Sequence, residues 1–265
     1  TLSYKALIVH MAFKSVQGEL QYFYHCNYPW LSSLYKIRDM GYEIALFDLD
    51  STLFDSELSE KLALSASFDQ YEIKSSHHLL KTYRAINSGL WLDFENKAIT
   101  LPELRIERFQ RLCDELRFNI NAEELADVYE SNLGKFGGLY HDAEKLLSNV
   151  KEKSKVGLIT NGLESVQKAR LSNFNLTRYF DAILISGECG MSKPDPLIFQ
   201  ASLDLLGHKQ KNSVLMIGDS LSSDIAGAEN FGIDSCWYNP QCLDTPSAHS
   251  PTFVVNSLLE IDSLI

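Results

Sequence analysis

The sequence has no paired CxxC motif and no even set of cysteines. Its five cysteines, Cys26, Cys113, Cys189, Cys236 and Cys242, are scattered along 265 residues. That spacing argues against a disulfide framework or a zinc site and fits a reducing, cytoplasmic setting. Long hydrophobic runs are also missing. The stretch Ala6–Phe13 is the nearest approach, and it is too short to span a bilayer and is followed by no small-residue cleavage site. Basic residues are in deficit, with 24 Lys and Arg against 35 Asp and Glu, a net charge of −11. A chain of that charge is poorly suited to nucleic-acid polymers, whose affinity comes largely from Lys and Arg on phosphates. A small anionic substrate is not excluded, because one metal ion and one lysine invert the local field. Glycine and proline are not in excess, and no internal repeat or low-complexity tract is present.

What is present is enough apolar material, 45% of residues, for one core and a smaller second unit. Residues 1–39 are Tyr-rich, lack a clean period and supply nothing the later pattern needs. Met40 is therefore read as the natural start, with 1–39 an upstream extension; the alternative is a genuine extra segment that packs on the outside. From residue 42 the chain alternates between strand and helix. Tyr42–Asp50, Val156–Gly162, Asp181–Gly187, Ser213–Asp219, Asp234–Tyr238 and Thr252–Val255 read as buried parallel strands. Ser165–Phe174, Pro196–Leu206 and Ser223–Phe231 read as the helices between them, the last stopped by Gly232. Such alternation predicts an α/β fold with a parallel sheet and helices on both faces. Between about Leu58 and Phe136 only helical patterns occur, clearest in Leu101–Leu116 and in Ala122–Leu133 with Asn121 as its cap. The expected organisation is a core of 40–57 and 137–265 with a helical cap of 58–136 inserted after the first strand. Gly137-Gly138 is the expected return hinge.

Ligands of open parallel sheets bind beyond the carboxyl ends of the strands, so the residues at the strand ends are the candidates for chemistry. The first ends in Asp48-Leu49-Asp50-Ser51-Thr52, the second in Thr160-Asn161-Gly162. The third is followed by Ser192-Lys193-Pro194-Asp195-Pro196, and the fourth ends in Gly218-Asp219-Ser220 with Asp224 further on. Asp48 and Asp50, two apart, face one side of an extended strand. Their repulsion is relieved by a cation such as Mg2+, which prefers oxygen ligands. A threonine hydroxyl and backbone N–H groups at a helix start suit a phosphate. Nearby prolines hold Lys193 ready for an anion, and Asp219 completes a metal site with Asp48. Taken singly, each group has a plain structural role: an acidic turn, a strand-to-helix corner, a surface lysine, a helix N-cap. Their fixed order at four successive strand ends is what points to a site.

These four groups resemble the four motifs of the haloacid dehalogenase (HAD) superfamily, over the chain from about Met40 to its end. The resemblance implies a Rossmann-like core and a Mg2+-dependent phosphatase. Asp48 would be the nucleophile, Asp50 the general acid and base, and Thr160, Asn161 and Lys193 the phosphate-binding groups. Mg2+ would sit on the Asp48 carboxylate, the Asp50 main-chain carbonyl and Asp219, with Asp224 in support. The second acid, Asp50, is absent from the dehalogenase branch, which favours phosphoryl chemistry; Ser51 stands where many members carry Gly. A narrower resemblance joins Ile86–Trp91 (INSGLW), Glu95–Thr100 (ENKAIT), Arg108-Phe109 and Cys236–Pro240 (CWYNP) to the bacterial pyrimidine 5′-nucleotidases. It implies a pyrimidine nucleotide as substrate. In physical terms, Trp91 would stack on the base and Arg108 would bind a carbonyl or the sugar. The plainer reading of Trp91 is a core aromatic. Competing functions on the same core are a sugar-phosphate or sugar-acid phosphatase, a phosphomutase, and a non-enzymatic binding protein. The last predicts loss of a chemical residue, and none of Asp48, Asp50, Lys193 and Asp219 is lost.

Overall fold

The computed structural model describes residues 41–265 except 245–247; the expectations about Met40 and the segment before it fall outside the described residues. Six strands form one wholly parallel sheet in the order β3-β2-β1-β4-β5-β6. They are β1 (Ile44–Phe47), β2 (Lys155–Thr160), β3 (Ala182–Ile185), β4 (Val214–Gly218), β5 (Asp234–Tyr238) and β6 (Phe253–Val255). All six expected strands exist. Most are shorter than the apolar runs that announced them, because the chain leaves the ladder as soon as it reaches the polar residues at the strand ends.

Alternation along each strand feeds two cores. Ala45 and Phe47 of β1 face a core containing Leu146, Val150, Leu158 and Ile217. Ile44 and Leu46 face the other, with Ile159, Phe199, Leu203 and Met216. Both faces are covered, as an all-parallel sheet requires. Helices α5 (Ala143–Lys153) and α6 (Glu164–Asn173) flank β2. A single turn, α7 (Ser186–Cys189), follows β3, and then α8 (Pro196–Leu206) starts on the Asp195 cap and ends at left-handed Gly207. After β4 the chain makes a π-helical turn at Leu221–Ile225 before α9 (Ala226–Phe231). The expected helix Ser223–Phe231 is thus two segments, stopped at left-handed Gly232 as the sequence suggested. The short α10 (Leu258–Ile261) closes the chain.

Between β1 and α5 lie α1 (Ser56–Asp69), α2 (His77–Glu95), α3 (Leu101–Leu116) and α4 (Ala122–Leu133). Each has a side-chain cap. Asp55 accepts from Leu58 N at 2.9 Å, Ser76 from Leu79 N at 3.1 Å and Asn121 from Glu123 N at 2.9 Å, while Thr100 and Glu103 form a capping box. The four helices share a core that includes Leu64, Phe68, Tyr83, Phe109 and Tyr129, and it also takes in Val166 from α6. The chain enters and leaves this helical segment side by side. Asp55 N donates to Gly138 O and Tyr140 N to Leu53 O, each at 2.9 Å. Gly137 has φ +110°, and a Cβ there would lie 2.8 Å from the Phe54 ring, so this crossing requires glycine.

Candidate active site

The carboxyl ends of β1, β2 and β4 open into a cavity of about 700 Å3 whose far wall is the helical segment. Asp48, just past β1, still pairs with β4 through Asp48 N to Ile217 O at 2.9 Å, and the residue is only 7% exposed. Its carboxylate accepts from Lys193 Nζ. That ammonium also meets Asp224 Oδ1 at 2.7 Å and donates to Ile159 O at 2.7 Å. Lys193 is 1% exposed, so it is a buried ion-paired group rather than a solvated lysine. Asn161 holds it from behind in both directions: its Nδ2 donates to Lys193 O at 2.8 Å and its Oδ1 accepts from Lys193 N at 2.9 Å.

Carboxylates outnumber cations here. Asp48, Asp219 and Asp224 each bring an oxygen to within 4.8 Å of the others. Thr52 Oγ1 donates to Asp219 Oδ1 at 3.0 Å, and Ser220 N donates to Asp224 Oδ2 at 3.0 Å. Burial raises the Asp48 carboxyl well above its ordinary range; Lys193 opposes this and the neighbouring carboxylates add to it. Asp219 is pushed up to about 7, first by burial and then by Asp224. Three crowded oxygen donors with one shared ammonium leave an excess of negative charge that a hard divalent cation neutralises, so the donor set fits Mg2+.

Asp50 lines the same cavity but takes no part in the three-carboxylate cluster. The chain turns at left-handed Ser51 (φ 62°). The Asp50 carboxylate accepts from Arg170 Nη1 and from Gln167 Nε2, the latter at 2.6 Å. The alternation that aims Asp48 and Asp50 together therefore gives a shared cavity but separate partners, because β1 proper ends at Phe47. Thr160 is fully buried, and its hydroxyl accepts from Gln167 Nε2 at 3.1 Å. Gly162 N donates to Ser186 Oγ at 2.9 Å. Of the Thr160-Asn161-Gly162 group, Asn161 and Gly162 reach the cavity wall while the Thr160 side chain faces inward.

On the opposite wall the helical segment presents Trp91 and Arg108 to the same cavity. Trp91 is half-buried, edge-on to Phe94 at 5.7 Å between ring centroids. Arg108 is 3% exposed, its guanidinium 5.0 Å from the Tyr129 ring centroid and 5.3 Å from that of Phe109. Among the described residues, its Nε and Nη2 have no hydrogen-bond partner, and neither has Asn87 Oδ1. Buried polar atoms without partners are costly, and these atoms leave the wall with hydrogen-bonding capacity toward the cavity. Sequence reading missed Glu60, Asn87, Gln167 and Arg170. Asn87 Nδ2 donates to Glu60 Oε1 at 3.0 Å, and burial, opposed by Arg108, raises the Glu60 carboxyl to about 7. Asn87 lies inside the quoted INSGLW string, the one signal that could have singled it out.

Residues 42–232 match the family model for haloacid dehalogenase-like hydrolases. The chain is 33% identical over 226 residues to pyrimidine 5′-nucleotidase YjjG of Escherichia coli, covering 85% of this chain and 99% of that protein. It is 34% identical over 223 residues to pyrimidine 5′-nucleotidase PynA of Streptococcus pneumoniae, covering 84% and 94%. Among solved structures, the magnesium-bound HAD-hydrolase YfnB of Bacillus subtilis superposes with a TM-score of 0.80 at 31% identity, over 84% of this chain and 98% of that one.

Proposed function

The chain belongs to the haloacid dehalogenase-like hydrolases and is a phosphatase, and from that premise we propose that it is a Mg2+-dependent pyrimidine nucleoside 5′-monophosphatase working through a phosphorylated Asp48. One observation carries the reading: a single cavity has the Asp48–Lys193–Asp224 cluster on one side and, on the other, Trp91, Asn87 and Arg108, two of whose donor nitrogens have no partner among the described residues. A phosphate bound at the first set leaves a nucleoside base facing the second.

The chemistry follows from the residues present. Asp48 attacks phosphorus; its P–O bond forms while the bond to the nucleoside 5′ oxygen breaks. Asp50 gives the departing oxygen its proton. A water then attacks phosphorus and loses a proton to Asp50, the bond to Asp48 breaks, and inorganic phosphate leaves. Lys193, fixed by Asp224 and Asn161, holds a phosphoryl oxygen and orients Asp48. Asp48 and Asp219, with the Asp50 main-chain carbonyl and Asp224 in support, would hold Mg2+, which when bound offsets the charge of site and phosphoryl group. Trp91 stacks on the base, and Arg108 and Asn87 bond its carbonyl edge or the sugar.

The test is phosphate release, with Mg2+ and with EDTA, from a panel of nucleotides and sugar phosphates, with Asp48→Asn as control. Metal-dependent release that favours dUMP or dTMP and vanishes in the variant is the expected result. Preference for a sugar phosphate keeps the chemistry and overturns the substrate. An isomer without free phosphate makes the chain a mutase.

A further inference from the structure

Asp50 is gripped by two side chains that none of the four motifs contains. Gln167 and Arg170 stand three apart on α6 and so share one face of it. The grip occupies both carboxylate oxygens: Arg170 Nη1 bonds Oδ1, and Gln167 Nε2 bonds Oδ2 at 2.6 Å. Both gripping residues are buried, at 3% and 2% exposure. Gln167 is itself fixed by Thr160 Oγ1 at 3.1 Å, and its side chain runs over Gly162, where any Cβ would lie 2.6 Å from Gln167 Nε2. Arg170 is fixed on two further sides. Its guanidinium lies 4.7 Å from the Phe54 ring centroid, and its Nη2 donates to Ser59 Oγ at 3.2 Å. Ser59 is in α1, and its hydroxyl donates in turn to Leu133 O at the end of α4, at 3.2 Å.

We infer that Gln167 and Arg170 are positioning residues for proton transfer by Asp50. Arg170, braced on Phe54 and Ser59, makes the direction of that carboxylate depend on how the helical segment is seated on the sheet. Asp50 needs such a device. It sits past the end of β1, beside left-handed Ser51, with its side chain 29% exposed, so the sheet does not fix its rotamer. Each carboxylate oxygen has two acceptor directions. The grip uses one on each and leaves the others for the leaving oxygen or the attacking water, in an orientation set by two buried donors. Proton transfer depends steeply on that orientation, whereas the attack of Asp48 on phosphorus does not.

The inference rests on Asp50 being the acid, and leaving groups separate the two ideas. An alkyl oxygen, as in a nucleotide, needs a proton to depart; 2,4-dinitrophenolate does not. kcat/KM for dUMP and for 2,4-dinitrophenyl phosphate would be measured in the Mg2+-loaded enzyme for Arg170→Lys, Gln167→Leu, Asp50→Asn and Asp50→Asn combined with Arg170→Lys. Arg170→Lys and Gln167→Leu are expected to lose about 100-fold on dUMP and under about 5-fold on the dinitrophenyl ester. The combined variant should match Asp50→Asn alone, because groups acting through one another are not additive. Equal losses on both esters, or a further loss in the combined variant, would overturn the inference in favour of a general structural role. If Asp50→Asn itself shows no leaving-group selectivity, the assignment of Asp50 as the acid fails instead. Retained dinitrophenyl ester hydrolysis doubles as the folding control, and should Arg170→Lys not fold, the Gln167→Leu ratio decides.

Discussion

At the scale of single residues, the site mixes groups that sequence exposes with groups it hides. Asp48 and Asp219 directly follow β1 and β4, and Lys193 and Asp224 come one helical turn later, after β3 and β4, so the order of these groups along the chain singled them out in the sequence. Glu60, Asn87, Gln167 and Arg170 were not singled out, because a polar residue inside a helix reads as a solvated face. Their burial arises only when α1, α2, α3 and α6 pack together. Glu60 gives a pH prediction. Its carboxyl, ordinarily near 4.5, lies at about 7 in the folded chain through burial. Between those values the folded state holds a proton that the unfolded state has released, so stability falls as pH rises through the window and levels off above it. Glu60→Gln keeps the acceptor for Asn87 and removes the titration. Melting curves from pH 5 to 8 should show the variant gaining on the parent as pH rises; parallel curves would remove Glu60 from the account. Arg108 gives a second prediction. Arg108→Met should raise KM for dUMP about 10- to 100-fold, from loss of hydrogen bonds by a charged donor, and leave KM for 4-nitrophenyl phosphate within about 3-fold. Equal effects on the two substrates would place Arg108 outside base recognition.

Secondary-structure elements were legible where apolar period and caps agree. Pro196–Leu206, Leu101–Leu116, Ala122–Leu133 and Asp234–Tyr238 occupy the expected residues. Agreement fails at the functional ends. Val156–Gly162 stops at Thr160, and Asp181–Gly187 turns into a helix at Ser186; the two strand exits pack so closely that a Cβ on Gly187 would lie 2.7 Å from Gly162 O. Helix α1 begins at Ser56, ahead of the expected helical block, since Asp55 caps it directly after the crossing. At Leu221–Ile225 an i to i+5 pattern replaces the expected α-helical start, and nothing in the Ser/Asp-rich string distinguishes the two. The crossing itself is testable. Gly137→Ala forces a left-handed backbone and a contact with Phe54, and should cost about 1–3 kcal/mol, read as a lower denaturation midpoint at unchanged m-value.

For the whole molecule, α/β class and parallel strands were readable, but the order β3-β2-β1-β4-β5-β6 was not, since it depends on which side each crossover takes. The charge balance was readable too, and its local form is the carboxylate cluster beyond β1 and β4. A cation there should stabilise the entire fold. Mg2+ at about 100 times its Kd should add about 2.7 kcal/mol by mass action, seen as a raised melting temperature. EDTA should abolish the shift, and Asp219→Asn should reduce it; an equal shift in that variant would place the ion elsewhere. Surface pairs between the two parts of the chain carry less weight. Lys97 Nζ meets Asp195 Oδ2 at 2.8 Å, but the lysine is largely exposed, so Lys97→Ala should change stability by under about 1 kcal/mol.

The paired crossing at Leu53–Asp55 and Gly138–Tyr140 has a consequence for ancestry and engineering. Two backbone hydrogen bonds of 2.9 Å hold the departure and return points together, so the helices between them form a detour whose ends already touch. A different detour of any length, spliced at those two points, would leave the path of the sheet undisturbed. Exchanging this helical segment for another thus asks nothing of the six strands. It asks that the newcomer supply a hydroxyl where Ser59 meets Arg170 and an apolar face to cover Val166.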